Sequence, residues 1–313
     1  MGAGSRTRDG EAPLVSVLTV TFNRRVLLPR LHDSLRRQTF HDFEWVVVDD
    51  GSTDGTREAV AALAATSAFA VRYLHQENTG RTFGLDRGYA ICRGRFTAVI
   101  DDDDWYAPDA LARLVGHWAR ISEPELFAEV QGLTARPDGS TIGDPFPTDI
   151  FDSDHFHIRE SLRLRGDRLG MSRTSVLREF PTPPEFACVN VPHGLMFNRM
   201  AERYRCRGVN EVIGYKEYRP DGITRSKLRA HAALSGPRLL YLEELLRQGR
   251  HRPMPAKHRY KSYANLVRNA LHQRRSFGRL IADAPSRAWL LAALPIGVGV
   301  YLRDRLNEAS SRR

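Results

Sequence analysis

Apolar and polar positions along the first 120 residues follow two periods in turn. Residues 14–22, "LVSVLTVTF", form a nearly continuous β-rich apolar run, as expected of a strand buried on both faces. In "RRVLLPRLHDSLRRQ" apolar residues fall at Leu27, Leu28, Leu31 and Leu35, which is helical spacing. "FEWVVVDDGSTDGT" predicts a second buried strand that stops in a polar, glycine-containing loop. "REAVAALAAT" predicts the next helix and "VRYLHQ" a short third strand. "GLDRGYAICRG" reads as a helix ended by Gly94. "RFTAVI" is the fourth strand, and "APDALARLVGHWARI" a helix with Pro108 near its first turn.

Such alternation predicts an α/β fold, an αβα sandwich with helices on both faces of a parallel sheet. Ligands of these sheets bind beyond the carboxyl ends of the strands. The polar loops 21–23, 49–53 and 101–104 all lie at that edge and converge on one candidate site. From about residue 129 to 224 the pattern turns irregular, which suggests added strands and acceptor-side loops. Residues 1–12 read as a disordered tail and 13–224 as the α/β domain. Residues 225–313 read as a helical, basic C-terminal region.

Charge sharpens that division. The net charge is +10, yet 19 Lys/Arg stand against 5 Asp/Glu from Arg225 onward, leaving −4 for the front part. The basic region suits an anionic membrane surface or, as a different class, nucleic acid. It carries no nucleic-acid recognition motif, so no nucleic acid is expected. Residues 288–302, "AWLLAALPIGVGVYL", are apolar but interrupted by Pro295, and fall short of the roughly 20 residues a bilayer span needs. Flanked by Arg287, Arg303 and Arg305, the segment either lies in a membrane interface or packs on the main domain. Cys92, Cys188 and Cys206 lack C-x-x-C spacing and read as reduced thiols. With no secretory leader in "MGAGSRTRDGEAP", the expected location is cytoplasmic, peripheral to the inner face of the plasma membrane.

Four consecutive aspartates, Asp101 to Asp104, close the fourth strand. Crowded carboxylates are tolerable when a divalent cation offsets them, and Mg²⁺ and Mn²⁺ prefer oxygen ligands. Alternation along an extended segment predicts Asp101 and Asp103 on one face, Asp102 and Asp104 on the other. Asp104 is also a candidate cap for the following helix. Asp49 and Asp50 end a neighbouring strand. There Asp50 either contacts a nucleobase or ribose or caps a helix, and Ser52 or Asp54 is the preferred cap.

The stretches "VSVLTVTFNR", "QTFHDFEWVVVDDGSTDGT", "ENTGRTFGLDRGYAICRGRF" and "IDDDDWYAPDAL" resemble, in order and spacing, the family 2 glycosyltransferases, inverting enzymes of the GT-A fold. The resemblance covers about residues 15–114. It implies sugar transfer from a nucleotide-diphosphate donor, with Mg²⁺ or Mn²⁺, to a glycan or lipid-linked acceptor in polysaccharide or glycolipid synthesis. By it, Thr21, Phe22 and Asn23 line the nucleotide pocket and Asp50 reads the base. Asp101 and Asp103 form the D-x-D motif, with Asp103 the more direct metal ligand, and Asp102 reaches the ribose or the donor sugar.

The chain departs from the family pattern with Val20 in place of Pro and "GLDRG", with Asp86 in an Asn position. These departures leave open whether Arg81 or Arg87 meets the diphosphate. Where the family supplies an acidic general base the chain has His193, in "VPHGL". A neutral imidazole, with an unperturbed pKa of about 6.5, can act as a base. Glu185 and Asp167 are the alternatives. Two further readings are a nucleotide-sugar binder with little or no transfer, and a nucleotidyltransferase. The second is disfavoured by "TFNRR", which lacks the expected glycine-rich loop.

Overall fold

The computed structural model describes residues 11–217 and 234–310. The expected tail, but for its last two residues, and the expected boundary at 224/225 lie outside the described residues. Two compact units are present, and they do not follow the linear order of the chain. One contains the described residues up to Asp154 with 164–183 and 200–217; the other contains 155–163, 184–199 and the residues from 234 onward.

Strands β1 (Val15–Thr21), β2 (Phe43–Asp49), β3 (Ala70–His75) and β4 (Phe96–Val99) form the parallel part of the first unit's sheet. With β5 (Trp105–Tyr106), β6 (Phe127–Ala135), β9 (Arg168–Arg173) and β10 (Arg205–Tyr215) the order is β3-β2-β1-β4-β9-β6-β10-β5. The short β7 (Thr141–Ile142) pairs with β6 and β8 (Ile150–Ser153) with β10. Register is direct in the parallel part: Val15 pairs with Phe43 and Phe96, Leu18 with Val46 and Val99, and Thr21 with Asp49.

Helices α1 (Leu28–Arg36), α2 (Thr56–Ala65), α3 (Arg81–Ile91), α4 (Ala110–Ala119) and α5 (Thr174–Glu179) accompany the sheet. Val15, Val17, Trp45 and Val47 form one buried cluster with Leu28, Leu31 and Leu35 of α1 and with Leu111, Leu114 and Trp118 of α4. The alternate residues face α3, where a Cβ added at Gly88 would fall 2.4 Å from Leu18 Cδ1 and one at Gly84 2.7 Å from Val20 Cγ1. Apolar residues on both faces explain why β1 and β2 read as unbroken apolar runs.

Two predicted helix limits differ from those observed. α1 starts only at Leu28 because Arg24 to Leu27 make a turn and Pro29 sits in the first helical turn, where its missing N–H is harmless. α3 begins at Arg81 and ends before Cys92, so Gly94 does not end it. Gly94 instead lets the chain pass β1: an added Cβ would lie 2.5 Å from Ser16 N and 2.8 Å from Phe96 O.

The second unit contains α6 (Gly194–Met200, to its penultimate residue), α7 (Ser235–Gln248), α8 (Ala256–His272), α9 (Phe277–Asp283) and α10 (Arg287–Ser310). α10 packs closely on α8, since a Cβ at Gly297 would meet Val267 Cβ at 2.5 Å and Ala264 O at 2.7 Å. Leu290 and Ala293 are buried on that side, and buried Asp304 pairs with Arg268 and His272. Leu291, Ile296, Leu302 and Leu306, by contrast, are exposed. Among the described residues no helix is long and apolar enough to cross a membrane.

A buried carboxylate ties α7 and α8 to the turn at His157–Ser161. Glu160 accepts hydrogen bonds from His258 Nε2 at 2.5 Å and Tyr241 Oη at 3.1 Å. Burial pushes its carboxyl upward, but the His258 hydrogen bond and charge outweigh this and hold it below the ordinary value. A depressed folded pKa gives stability that is present above the unfolded value, about 4.5, and lost as pH falls through the folded value. Glu160→Gln should destabilise the chain by about 1–3 kcal/mol near neutral pH. In denaturant titrations it should also lose this part of the wild type's acid sensitivity; equal stability at pH 7 would refute the assignment.

Candidate active site

The strand order reverses between β1 and β4, the place where open α/β sheets leave a crevice at their carboxyl ends. Thr21, the last residue of β1, is buried, and its hydroxyl donates to Asp102 Oδ2 at 2.8 Å. Its carbonyl accepts from Asp50 N at 2.9 Å, and Asp49 O accepts from Gln76 N at 3.0 Å. The ends of β1, β2 and β3 are thus stitched together by backbone bonds just below the site.

The aspartates do not form an extended segment. Asp104 N donates to Asp101 O at 3.2 Å, which folds the four into a turn. The expected alternation of faces therefore fails. Asp101, Asp103 and Asp104 gather, with a carboxylate oxygen of each within 4.8 Å of the others, while Asp102 turns to Thr21 and Arg24. Asp104 does not cap α4 either; Asp109 occupies that N-cap position.

Cations from three parts of the chain surround this turn. Arg24 Nη1 lies 3.0 Å from Asp102 Oδ1 and 3.3 Å from Asp103 Oδ2. Arg81, the first residue of α3, donates through Nε to Asp101 Oδ1 at 2.9 Å. Lys216 Nζ, just past β10, is 3.0 Å from Asp104, 3.6 Å from Asp167 and 3.8 Å from Asp101. Arg30 holds the turn's backbone, donating to Asp103 O at 2.6 Å while its guanidinium sits 4.1 Å from the centre of the Trp105 ring. Burial pushes the Asp102 carboxyl up to about 6, with Thr21 and Arg24 pulling the other way. Asp104 is likewise raised by burial, against the pull of Lys216.

Asp50 is buried and organises the loop ahead of α3. Its carboxylate accepts from Gln76 Nε2 at 2.7 Å, Thr79 N at 2.9 Å and Gly80 N at 2.8 Å. Asp49 accepts from Ser52 N at 2.8 Å and from the Tyr73 hydroxyl. Burial raises its carboxyl, but the hydrogen bonds from Ser52 and Tyr73 prevail and hold it below the ordinary value. Asn23, in the left-handed region at φ 53°, bridges two loops: its N donates to Ser52 Oγ and its Oδ1 accepts from Thr53 N, both at 2.8 Å. Phe22 beside it is exposed. Asp54, rather than Ser52, bonds the first turn of α2, accepting from Thr56 N at 3.2 Å.

Of the two candidate arginines, Arg81 reaches the aspartate turn and Arg87 is an exposed residue of α3. Asp86 is raised by burial and accepts from Thr182 N at 2.9 Å. His193 is exposed, in the turn before α6, and belongs to the second unit, as does exposed Glu185. Asp167 is half-exposed and belongs to the first unit, joined to the aspartate turn through Lys216. Sequence reasoning missed Lys216 and Arg24 as partners of the aspartates. For Arg24 a signal existed, since it follows the first strand directly; Lys216 becomes visible only once β10 is known to end there.

Three clustered carboxylates, two of them partly open to solvent, make a hard oxygen donor set that fits Mg²⁺ or Mn²⁺. The fit is independent of any relative, because it rests on the donor atoms of this turn.

Sheet order and crevice are those of the GT-A fold, and solved glycosyltransferases superpose accordingly. A Pyrobaculum calidifontis mannosyltransferase, solved with GDP-Man and Mn²⁺, matches with a TM-score of 0.58 at 19% identity, over 94% of this chain and 88% of that one. S. aureus TarS residues 1–349, solved with UDP-GlcNAc, matches with a TM-score of 0.58 at 15% identity, over 95% and 91%. The chain therefore has the GT-A architecture. Residues 16–123, about a third of the chain, match the family model "Glycosyl transferase family 2". The chain's relatives include the Campylobacter jejuni GalNAc(5)-diNAcBac-PP-undecaprenol beta-1,3-glucosyltransferase, 35% identical over 108 residues, 33% of this chain and 34% of that one. Escherichia coli chondroitin synthase is 33% identical over 99 residues, 32% of this chain and 14% of that one. The matched stretch thus spans only about a third of the first relative and less of the second.

Lys216 is mostly buried, and its ammonium lies 3.0 Å from the buried Asp104 carboxylate. Lys216→Met should destabilise the metal-free protein by about 3–5 kcal/mol, the usual effect of leaving a buried charge unpaired. Chemical denaturation would measure it, and a change under about 0.5 kcal/mol, the scatter of ordinary surface substitutions, would show that the ammonium is dispensable.

Proposed function

We propose that the chain is an inverting glycosyltransferase that moves a sugar from a nucleotide-diphosphate donor to a hydroxyl of a glycan or lipid-linked glycan. The clustering of Asp101, Asp103 and Asp104 at the end of β4, next to the loops of β1 and β2, carries this reading. In it, Asp103 and Asp101 hold Mg²⁺ or Mn²⁺. When bound, such an ion offsets negative charge on a departing diphosphate. Thr21, Phe22 and Asn23 line the nucleotide side, and Asp50 keeps the loop 76–80 in place beside the base while offering its acceptor edge. Asp102, held by Thr21 and Arg24, faces the ribose or donor sugar. Arg81 and Lys216 offset the carboxylates in the metal-free protein and become available to diphosphate oxygens when the ion takes their place. The donors bound by the mannosyltransferase and TarS, GDP-Man and UDP-GlcNAc, support a nucleotide sugar of either base.

In this reading the acceptor hydroxyl loses its proton to His193, which stands where the family pattern calls for an acid. A second reading places the base on Asp167, favoured because this half-exposed carboxylate shares Lys216 with Asp101 and Asp104. The exposed apolar side of α10, with Arg303 and Arg305 near its end, supports attachment to an anionic membrane face that presents a lipid-linked acceptor.

Asp103→Ala should abolish Mn²⁺-dependent nucleotide binding in calorimetry with the fold retained; unchanged affinity in Mn²⁺ would remove the metal from Asp103.

Removing a general base slows transfer by about 10²–10⁴-fold. His193→Ala should do so with donor binding preserved, and His193→Glu should recover part of the rate. If His193→Ala transfers at the wild-type rate while Asp167→Asn is slowed to that extent, the base is Asp167.

Basic residues contribute roughly 1 kcal/mol each near an anionic surface. The double substitution Leu291→Asp and Ile296→Asp should reduce sedimentation with phosphatidylserine-containing vesicles, and added salt should reduce it further. Undiminished sedimentation would exclude α10 as the attachment face.

A further inference from the structure

Besides its leucines, α1 carries a second, polar stripe. Arg30 and Ser34 of the helix and Gln38 just past its end stand four residues apart, which puts them on one side. Ser34 and Gln38 are buried. All three bond to the chain that leaves the aspartate turn. Arg30 Nη2 donates to Asp103 O at 2.6 Å, and Ser34 Oγ accepts from Tyr106 N at 3.3 Å. Gln38 Nε2 donates to Ala107 O at 2.8 Å, and its Oε1 accepts from Leu111 N at 3.1 Å. Thr39 N adds a bond to Pro108 O at 2.9 Å. Residues 103–111 thus lie along α1 as on a rail.

The end of this row nearest the turn is held most completely. Besides Asp103 O, the Arg30 guanidinium donates through Nη1 to Glu217 Oε2 at 2.7 Å and rests over the Trp105 ring, 4.1 Å from its centre. Trp105 in turn stacks on Tyr215 of β10, with ring centres 5.7 Å apart. Arg30 bonds the carbonyl of Asp103 and not its carboxylate. It therefore sets where that side chain starts without competing with an ion for its oxygens.

We propose that Arg30 is a positioning residue of the metal site: by fixing the Asp103 backbone it aims the Asp103 carboxylate at the ion. This rests on the reading that Asp101 and Asp103 hold Mg²⁺ or Mn²⁺. Groups that orient a metal ligand from behind change affinity by about 10–100-fold when removed. A guanidinium suits the task, because one rigid plane can bond a carbonyl and a carboxylate while resting over an indole. The sign of the effect separates positioning from charge. A cation near a metal site repels the ion, so loss of the Arg30 charge alone would tighten binding. Loss of positioning weakens it.

Titration of the full chain with Mn²⁺ alone, the free ion read by electron paramagnetic resonance, tests this without donor or turnover. Arg30→Met should weaken Mn²⁺ binding by about tenfold or more, although it removes a positive charge. Arg30→Lys, which keeps the charge but not the planar fork, should fall between Arg30→Met and the wild type. Ser34→Ala removes another bond of the row without touching Asp103; it should lower the melting temperature and leave Mn²⁺ affinity at the wild-type value. Circular dichroism checks that each variant is folded at the titration temperature. Unchanged or tighter binding by folded Arg30→Met overturns the proposal. So does a Ser34→Ala variant weakened as much as Arg30→Met, since α1 would then act only through general stability. Asp103→Ala is the reference. If it binds Mn²⁺ as the wild type does, or if the wild type binds none, the metal reading fails and the proposal with it. Binding lost in Asp103→Ala but unchanged in Arg30→Met overturns the proposal alone.

Discussion

The mutual repulsion of Asp101 to Asp104 is the constraint around which the first unit is arranged. Two unit charges 4 Å apart interact by about 4 kcal/mol at the effective dielectric of a protein surface, so this turn folds only with cations around it. Those cations arrive from distant places: Arg24 from the loop after β1, Arg81 from the start of α3 and Lys216 from the end of β10. Each sits where a strand or helix ends, so the sheet must be assembled before the aspartates are tolerable. A charge problem at one loop thereby depends on the topology of the whole sheet.

The neighbouring loops are fixed by acids of a different kind. Asp49 and Asp50 are spent on backbone N–H groups and on Tyr73, Gln76 and Ser52, and Asn23 takes a left-handed conformation to bond the loop of β2. Such side-chain-to-backbone bonds hold a crevice open without secondary structure at its rim. The result is a floor of mutually bonded loops beneath a charged turn.

Most of the parallel half was legible in the sequence, because strands buried on both faces read as unbroken apolar runs and the helices between them keep a clear period. The convergence of three loops at one edge followed from that alternation. Limits at glycine and proline were harder to read. Gly94 looked like a helix stop, yet its smallness serves the close passage past β1, which only the three-dimensional arrangement reveals. Asp101 and Asp103 were legible as a pair, but the partnership of Asp104 was not, because alternation presumes an extended chain and this chain turns. Nor was Lys216: its importance comes from β10 ending beside β5, a pairing between residues more than a hundred positions apart. Segments 155–163 and 184–199, which join the C-terminal helices, carry no compositional mark of that allegiance.

That interleaving matters for how the protein is made. Synthesis proceeds from the N-terminus, and compact units tend to fold as they emerge. The first unit is complete in sequence once Glu217 has left the ribosome, with Lys216 among its last residues. By then the pieces 155–163 and 184–199, with Phe156, Ile158, Val191 and Leu195 that are buried in the complete chain, have emerged ahead of the rest of their unit. A nascent chain paused at that point would expose a patch of the kind chaperones bind, and ending the gene after Glu217 would make that exposure permanent.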